Sequence, residues 1–215
     1  MYKVFRKGVD VSVHQGKIDW EKVKQEVDFA IIRGGFSKTK DKYAETNISS
    51  CIKNGIPFGI YWFSYATSSD AAKQEAVEAL KLVKDKNISY PIYFDFEYDS
   101  ASYCERNNVR VTQELVRTLT KSFCDTVREA GYSTGFYANP HYISTYYGDK
   151  FARENKYSLW LAHWVDEPAF EHDIWQFSDC EFVNGINGYV DMNYIPVPYY
   201  KQFEITFERG EQNGN

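Results

Sequence analysis

The chain has 215 residues with 25 basic and 30 acidic side chains, a net charge of −5. That length fits one domain able to bury a sizeable core, and the acidic balance offers no basic patch for nucleic acid and no polybasic signal for a membrane surface. No stretch approaches the ~18 consecutive apolar residues of a membrane span, and residues 1–7 carry no apolar core of a signal peptide.

In chain order, residues 7–13 read as a short strand containing Asp10, followed by a His14-Gln15-Gly16 loop. Asp19 suits the N-cap of a helix over 20–27, with Trp20, Val23 and Val27 on one face. Residues 29–33 form a buried strand that Gly34-Gly35 breaks, and the polar stretch 37–43 reads as a loop. A helix from about Glu45 groups Ile48, Cys51 and Ile52 and stops at Asn54-Gly55, a left-handed C-cap. Residues 57–63 are the third strand. Ser68, Ser69 and Asp70 offer N-caps to a helix through Lys86, with Ala76, Val77, Leu80 and Val83 as its apolar stripe. Thr112 opens the longest helix, which turns Leu115, Leu119, Phe123 and Val127 inward and closes at Gly131; residues 135–138 are the next strand.

Two segments echo one another, Gly55-Ile-Pro-Phe-Gly59-Ile-Tyr61 and Gly131-Tyr-Ser-Thr-Gly135-Phe-Tyr137, as the same junction built twice. Strand–helix alternation over the first two-thirds implies right-handed crossovers and a parallel sheet, hence an α/β barrel or a doubly wound sheet. Beyond Tyr147 the helical signals fade, and 159–164, 172–177 and 188–191 read as three strands with short turns. Residues 1–200 then make a single domain, and 201–215 a polar tail or the start of a linker.

The chemistry concentrates in Tyr90-Pro-Ile-Tyr-Phe-Asp95-Phe-Glu97. Its β-branched and aromatic residues describe a strand buried on both faces, yet it carries two acids. Side chains alternate along a strand, so Asp95 and Glu97 project from one face, with carboxyls able to approach to about 5 Å. Two carboxylates that close in an aromatic setting do not both ionise easily, so one becomes a proton donor at neutral pH. A polar pair that lines a barrel or binds an Arg is the alternative reading.

Other features exclude more than they assign. Cys51, Cys104, Cys124 and Cys180 are far apart with no C-x-x-C pair, which argues for free thiols and against structural zinc. His14, His141, His163 and His172 lack metal-ligand spacing, so neither a metal nor any other cofactor is expected. Eighteen Tyr, fifteen Phe and five Trp make the chain aromatic-rich, and Tyr and Trp serve both as core and as sugar-stacking surfaces. Arg33, at the end of a buried strand, is expected to pair with an acid.

Gly8-Val-Asp10-Val-Ser12 with Gln15-Gly16, Ile18-Asp19-Trp20, Phe29-Ala-Ile-Ile-Arg33, Asp95-Phe-Glu97, Trp160-Leu-Ala162, Trp175-Gln176 and Val190-Asp191-Met-Asn193 occur in that order. This series resembles the glycoside hydrolase family 25 lysozymes over about residues 8–195. One departure is His14, where many members have Trp. The resemblance implies an irregular, flattened TIM-like β/α barrel whose last three strands lack full helices. It implies a secreted or phage-released enzyme, monomeric as a catalytic domain, acting on bacterial peptidoglycan at the β-1,4 bond between N-acetylmuramic acid and N-acetylglucosamine.

The family's acidic quartet maps onto Asp10, Asp95, Glu97 and Asp191, at strand ends where β/α barrels keep their sites. Glu97 is expected to be the general acid, held protonated by Asp95 and by aromatic surroundings. Asp95 is either a covalent nucleophile or the residue that orients a substrate acetamido group. Asp10 and Asp191 are expected to ring the pocket, with strand-end caps as the alternative. Tyr61, Tyr137 and Trp164 lie near the expected mouth as substrate contacts, with core packing as the alternative for each, and Gln176 is a further substrate contact or, equally, a hydrogen-bonding residue within the barrel. A non-catalytic wall-binding module and a chitinase-like N-acetylglucosaminidase remain the competing functions.

Overall fold

A computed structural model describes residues 4–196, so the expected tail lies outside the described residues. In chain order the elements are β1 (Val4–Val11), α1 (Trp20–Val23), β2 (Phe29–Phe36), β3 (Thr39–Lys40), α2 (Ala44–Asn54), β4 (Phe58–Phe63), α3 (Ser69–Val83) and β5 (Ile92–Asp95). There follow α4 (Tyr98–Arg106), α5 (Gln113–Glu129), β6 (Thr134–Ala138), α6 (Pro140–Tyr142), α7 (Phe151–Asn155), β7 (Ser158–Ala162), β8 (Ile174–Glu181) and β9 (Val190–Pro196).

Eight strands close into a barrel in the order β1-β9-β8-β7-β6-β5-β4-β2, with β1 paired to β2, while β3 folds back as a hairpin on β2. The pairings from β1 through β2, β4, β5, β6 and β7 to β8 are parallel; β9 runs antiparallel to both its neighbours. This is the expected TIM-like barrel, with its last strand reversed. A short turn after β8 leaves the chain at the mouth with no helix to carry it back, so β9 must run downward.

Strand alternation makes two cores. Outward residues such as Ala30, Ile32, Ile60, Phe94 and Phe136 pack under the helices, while Phe29, Ile31, Tyr61, Tyr93, Tyr137, Trp160, Ile174 and Ile195 fill the interior. The barrel is therefore a packed core up to its mouth. The echoed Gly-x-Tyr segments have a steric reason. A Cβ on Gly135 would lie 2.1 Å from the Ser158 carbonyl oxygen and 2.7 Å from the Tyr93 ring. Two residues on, Tyr61 and Tyr137 each turn a ring edge-on to Trp160, at 5.6 and 4.9 Å. A missing side chain low in the strand makes room for neighbouring rings, and a Tyr above it reaches the mouth.

Several local expectations need correction. Val77 is 37 % exposed and Ile52 52 % exposed; the buried stripes instead use Ala72, Glu75, Ala76, Ala79, Leu82 and Val83 on α3, and Ala44, Asn47, Ile48 and Cys51 on α2. The stretch 37–43 holds β3 and the buried Asp41. On α4 only Ser100 and Cys104 are buried, so its sequence shows no apolar period to find. α7 is a five-residue helix held by Phe151.

Candidate active site

Alternation brings the four acids together at the mouth. Asp95 ends β5 on its inner side, and Glu97 follows in extended backbone (φ −124°, ψ −167°) as the N-cap of α4, which keeps both carboxyls on one side. Phe96 between them points outward and is 1 % exposed. The Glu97 backbone N–H donates to Ser100 Oγ at 3.1 Å. Across the barrel Asp10 of β1 stands directly opposite Asp191 of β9 in the antiparallel register.

The acids form two proton-sharing pairs. The Asp95 and Glu97 carboxyls lie close enough to share a proton. Burial, then the charge of Glu97 and the hydrogen bond to it, pushes Asp95 well above the ordinary carboxylate range. Burial pushes Glu97 up to about 7; the charges of Asp10 and Asp99 add to this, and the bond from Asp95 opposes it. Burial is the largest cause for both carboxyls, and two such groups in contact do not ionise together. At neutral pH the pair holds a transferable proton. In the second pair, burial and the charge of Asp10 raise Asp191 to about 9, so Asp191 donates to Asp10. Burial also raises Asp10, against the bonds donated by Asn193, Gln176 and Asp191.

A buried hydrogen-bond chain supports Asp10. Its Oδ2 accepts from Asn193 Nδ2 at 2.8 Å and from Gln176 Nε2 at 2.9 Å. Asn193 Oδ1 in turn accepts from Trp160 Nε1 at 2.7 Å. Gln176 Oε1 accepts from the Tyr137 hydroxyl at 3.1 Å and from Trp164 Nε1 at 3.3 Å. Tyr137 and Trp164, expected near the mouth, both reach Gln176, which hydrogen-bonds within the barrel, one of the two readings its position allows. Asn193 and Trp160 were not singled out as site residues, although Asn193 sits two residues beyond Asp191 on the same face of β9, a readable signal.

Tyr61 and Tyr137 are held as neutral phenols by burial and by the surrounding carboxylates. Trp164 lies past the end of β7 and is 56 % exposed. Arg33 pairs with Asp41 at 2.7 Å, as expected of it; Asp41 also accepts from the backbone N–H groups of Val13 and Tyr43. Asp95 keeps one oxygen, Oδ1, buried and without a hydrogen-bond partner, the kind of atom a bound substrate would satisfy.

Among the described residues no His, Cys, Asp and Glu cluster could hold a metal ion. Cys51, Cys104, Cys124 and Cys180 are free thiols, the first three buried. No helix of the described chain is long and apolar enough to cross a membrane. A cavity of about 690 Å³ opens at the opposite end of the barrel, between Gly131 and Asp173, away from the acids.

Comparison with known proteins agrees with this geometry. The chain is 30 % identical over 197 residues to the uncharacterized protein YegX of Escherichia coli O157:H7, covering 86 % of this chain and 68 % of that one. It is 28 % identical to Lysozyme M1 of Streptomyces globisporus, covering 86 % and 66 %. Among solved structures, the modular autolysin LytC of Streptococcus pneumoniae superposes with a TM-score of 0.76 at 28 % identity, covering 88 % of this chain and 46 % of that one. The chain thus spans less than half the length of LytC. The family model for glycosyl hydrolases family 25 matches residues 9–186, and the chain belongs to that family of glycosidases.

Proposed function

We propose that this glycosidase is a retaining muramidase that cuts the β-1,4 bond between N-acetylmuramic acid and N-acetylglucosamine in bacterial peptidoglycan. Family membership and the named lysozyme and autolysin relatives support the substrate class. One observation carries the mechanism, the placing of Asp95 at the end of β5 and Glu97 two residues on in extended backbone, which sets their carboxyls side by side. Two carboxyls in contact do not flank a scissile bond from opposite sides, as an acid and a covalent nucleophile about 5–5.5 Å apart would. Asp95 is also 4 % exposed, and burial raises it well above the ordinary carboxylate range, so before substrate arrives it is a poor nucleophile.

The nucleophile is then the substrate's own 2-acetamido oxygen. As the acetamido N–H reaches Asp95, the shared proton moves to Glu97 and Asp95 takes the charge. The acetamido oxygen bonds to C1, the bond from C1 to the leaving oxygen breaks, and Glu97 protonates that oxygen. Asp95 stabilises the positive charge on the cyclised acetamido group. Water then attacks C1 and gives its proton to Glu97, and the acetamido group is restored with configuration retained. Asp10, fixed by three donors, sets the field around the reacting carbon; Asp191, Tyr61 and Tyr137 offer hydroxyl donors to sugar oxygens. One chain supplies every group, so a monomer suffices, and the substrate sets the cell wall as the place of action.

Glu97→Gln keeps shape and hydrogen bonding but removes the transferable proton, so wall lysis should fall by on the order of 10²–10⁴. Mass spectrometry of the digest should show N-acetylmuramic acid at the new reducing ends. New N-acetylglucosamine ends, or wall binding with no cleavage at all, would overturn the reading in favour of a glucosaminidase or a binding module.

A further inference from the structure

Tyr98 immediately follows Glu97 and begins α4, yet its ring is 56 % exposed. A single exposed Tyr is ordinary; this one is held from two sides. His141 lies nearly parallel to it, with ring centroids 6.1 Å apart and 15° between planes. Tyr142 meets it edge-on at 5.2 Å and 86°. Tyr142 is itself 2 % exposed and packs 6.4 Å from Phe96, the residue between the two acids. Its backbone N–H donates to Asn139 Oδ1 at 2.9 Å, which fixes the turn carrying His141 just past the mouth end of β6.

These rings are therefore set in place before any ligand arrives, with Tyr98 next in the chain to the proton donor. Nothing in the hydrolytic step uses them. A pyranose of a β-linked glycan presents apolar C–H faces that pack on an aromatic ring, and its rim hydroxyls suit a phenol and an imidazole. Glu97 delivers its proton to the leaving oxygen, so the surface adjoining Glu97 faces the leaving sugar. We propose that Tyr98 and His141 form a fixed stacking platform for an N-acetylhexosamine on the leaving-group side of the cut. The proposal rests on the glycosidase reading and adds which sugar is gripped, and by what. Preorganisation matters because a ring already immobilised loses little freedom on binding.

Two measurements test it. The first compares wild type, Tyr98→Ala, Tyr98→Phe and His141→Ala on isolated glycan strands and on a β-glycosyl fluoride of the same disaccharide. The fluoride has no ring on the leaving side. Tyr98→Ala should lower the ratio of kcat/KM on strands to that on the fluoride by about tenfold, mainly through KM, with His141→Ala following more weakly. Tyr98→Phe, which keeps the stacking face, should restore most of the ratio. An unchanged ratio in Tyr98→Ala would overturn the platform.

The second adds Tyr98→Ala to Glu97→Gln and measures binding of a glycan tetrasaccharide by calorimetry. Weaker binding by about tenfold supports the platform even should the wild type prove inactive, an outcome that would sink only the catalytic reading. Equal binding with and without Tyr98 defeats the platform whatever the activity.

Discussion

Asn193→Leu tests whether the buried chain around Asp10 holds the site together. Asn193 is fully buried, donates 2.8 Å to the Asp10 carboxylate and accepts 2.7 Å from the Trp160 indole. Leu keeps its branched outline, with somewhat larger bulk, but makes neither bond. A hydrogen bond to a charged group contributes about 1.5–3 kcal/mol, and a stranded buried N–H costs about 1–3 kcal/mol, so the loss should be roughly 3–5 kcal/mol. For a domain of this size that lowers the melting temperature by on the order of 10 °C at neutral pH.

The deficit should shrink in acid, where Asp10 takes up a proton and its need for a donor weakens. Trp160→Phe removes the indole N–H, so the double variant should lose less than the sum of the singles by about 1–2 kcal/mol. Calorimetric melts of the four proteins at neutral and acidic pH provide the assay. A fall in melting temperature below about 2 °C for Asn193→Leu, or strict additivity with Trp160→Phe, would refute the reasoning.

Two further predictions concern titration. Glu97 sits at about 7 as the proton donor, so the rate should fall as pH rises past neutrality. The Asp10 charge is one of the causes raising it, so Asp10→Asn should move that alkaline limb of the pH–rate profile to lower pH; an unmoved limb would remove Asp10 from the field around Glu97. Away from the acids, buried Glu75 accepts from Ser64 Oγ at 2.6 Å and from the Tyr65 N–H at 2.9 Å, and burial raises it from 4.5 to about 7. Its folded-state value lies above its unfolded one, so the stability it contributes is full below 4.5 and is lost as pH rises to about 7. Glu75→Gln abolishes that ionisation. Relative to wild type it should be more stable at pH 8 than at pH 5 by about 2–3 kcal/mol, and a difference independent of pH in thermal melts would contradict the assignment.

The pattern of apolar residues was enough to place most of the barrel. Residues 29–33 and 57–63 are apolar on both faces because both faces are buried, under helices outside and against other strands' side chains inside. Period-two alternation put Asp95 and Glu97 on one face, and it holds through the last residues because the backbone stays extended past the end of β5. Helix α4 is hard to read from sequence because its buried face offers only the small residues Ser100 and Cys104 and no large apolar side chain. Val77 and Ile52 are apolar yet exposed, because hydrophobicity alone does not say which face of a helix the barrel covers.

Local alternation and chain order by themselves determined an α/β barrel or a doubly wound sheet and set Asp95 and Glu97 on one face, while Asp10 and Asp191 were legible as site acids only through the resemblance to a known family. Only the tertiary structure decided which acids pair. Asp10 and Asp191 are 181 positions apart in the chain, and closing the barrel with a reversed β9 sets them face to face. It also decided what holds each proton. Burial and neighbouring charge arise only when Asn193, Gln176, Tyr137 and Trp160 converge from four strands, and no single segment carries the desolvation that makes a carboxyl an acid at neutral pH.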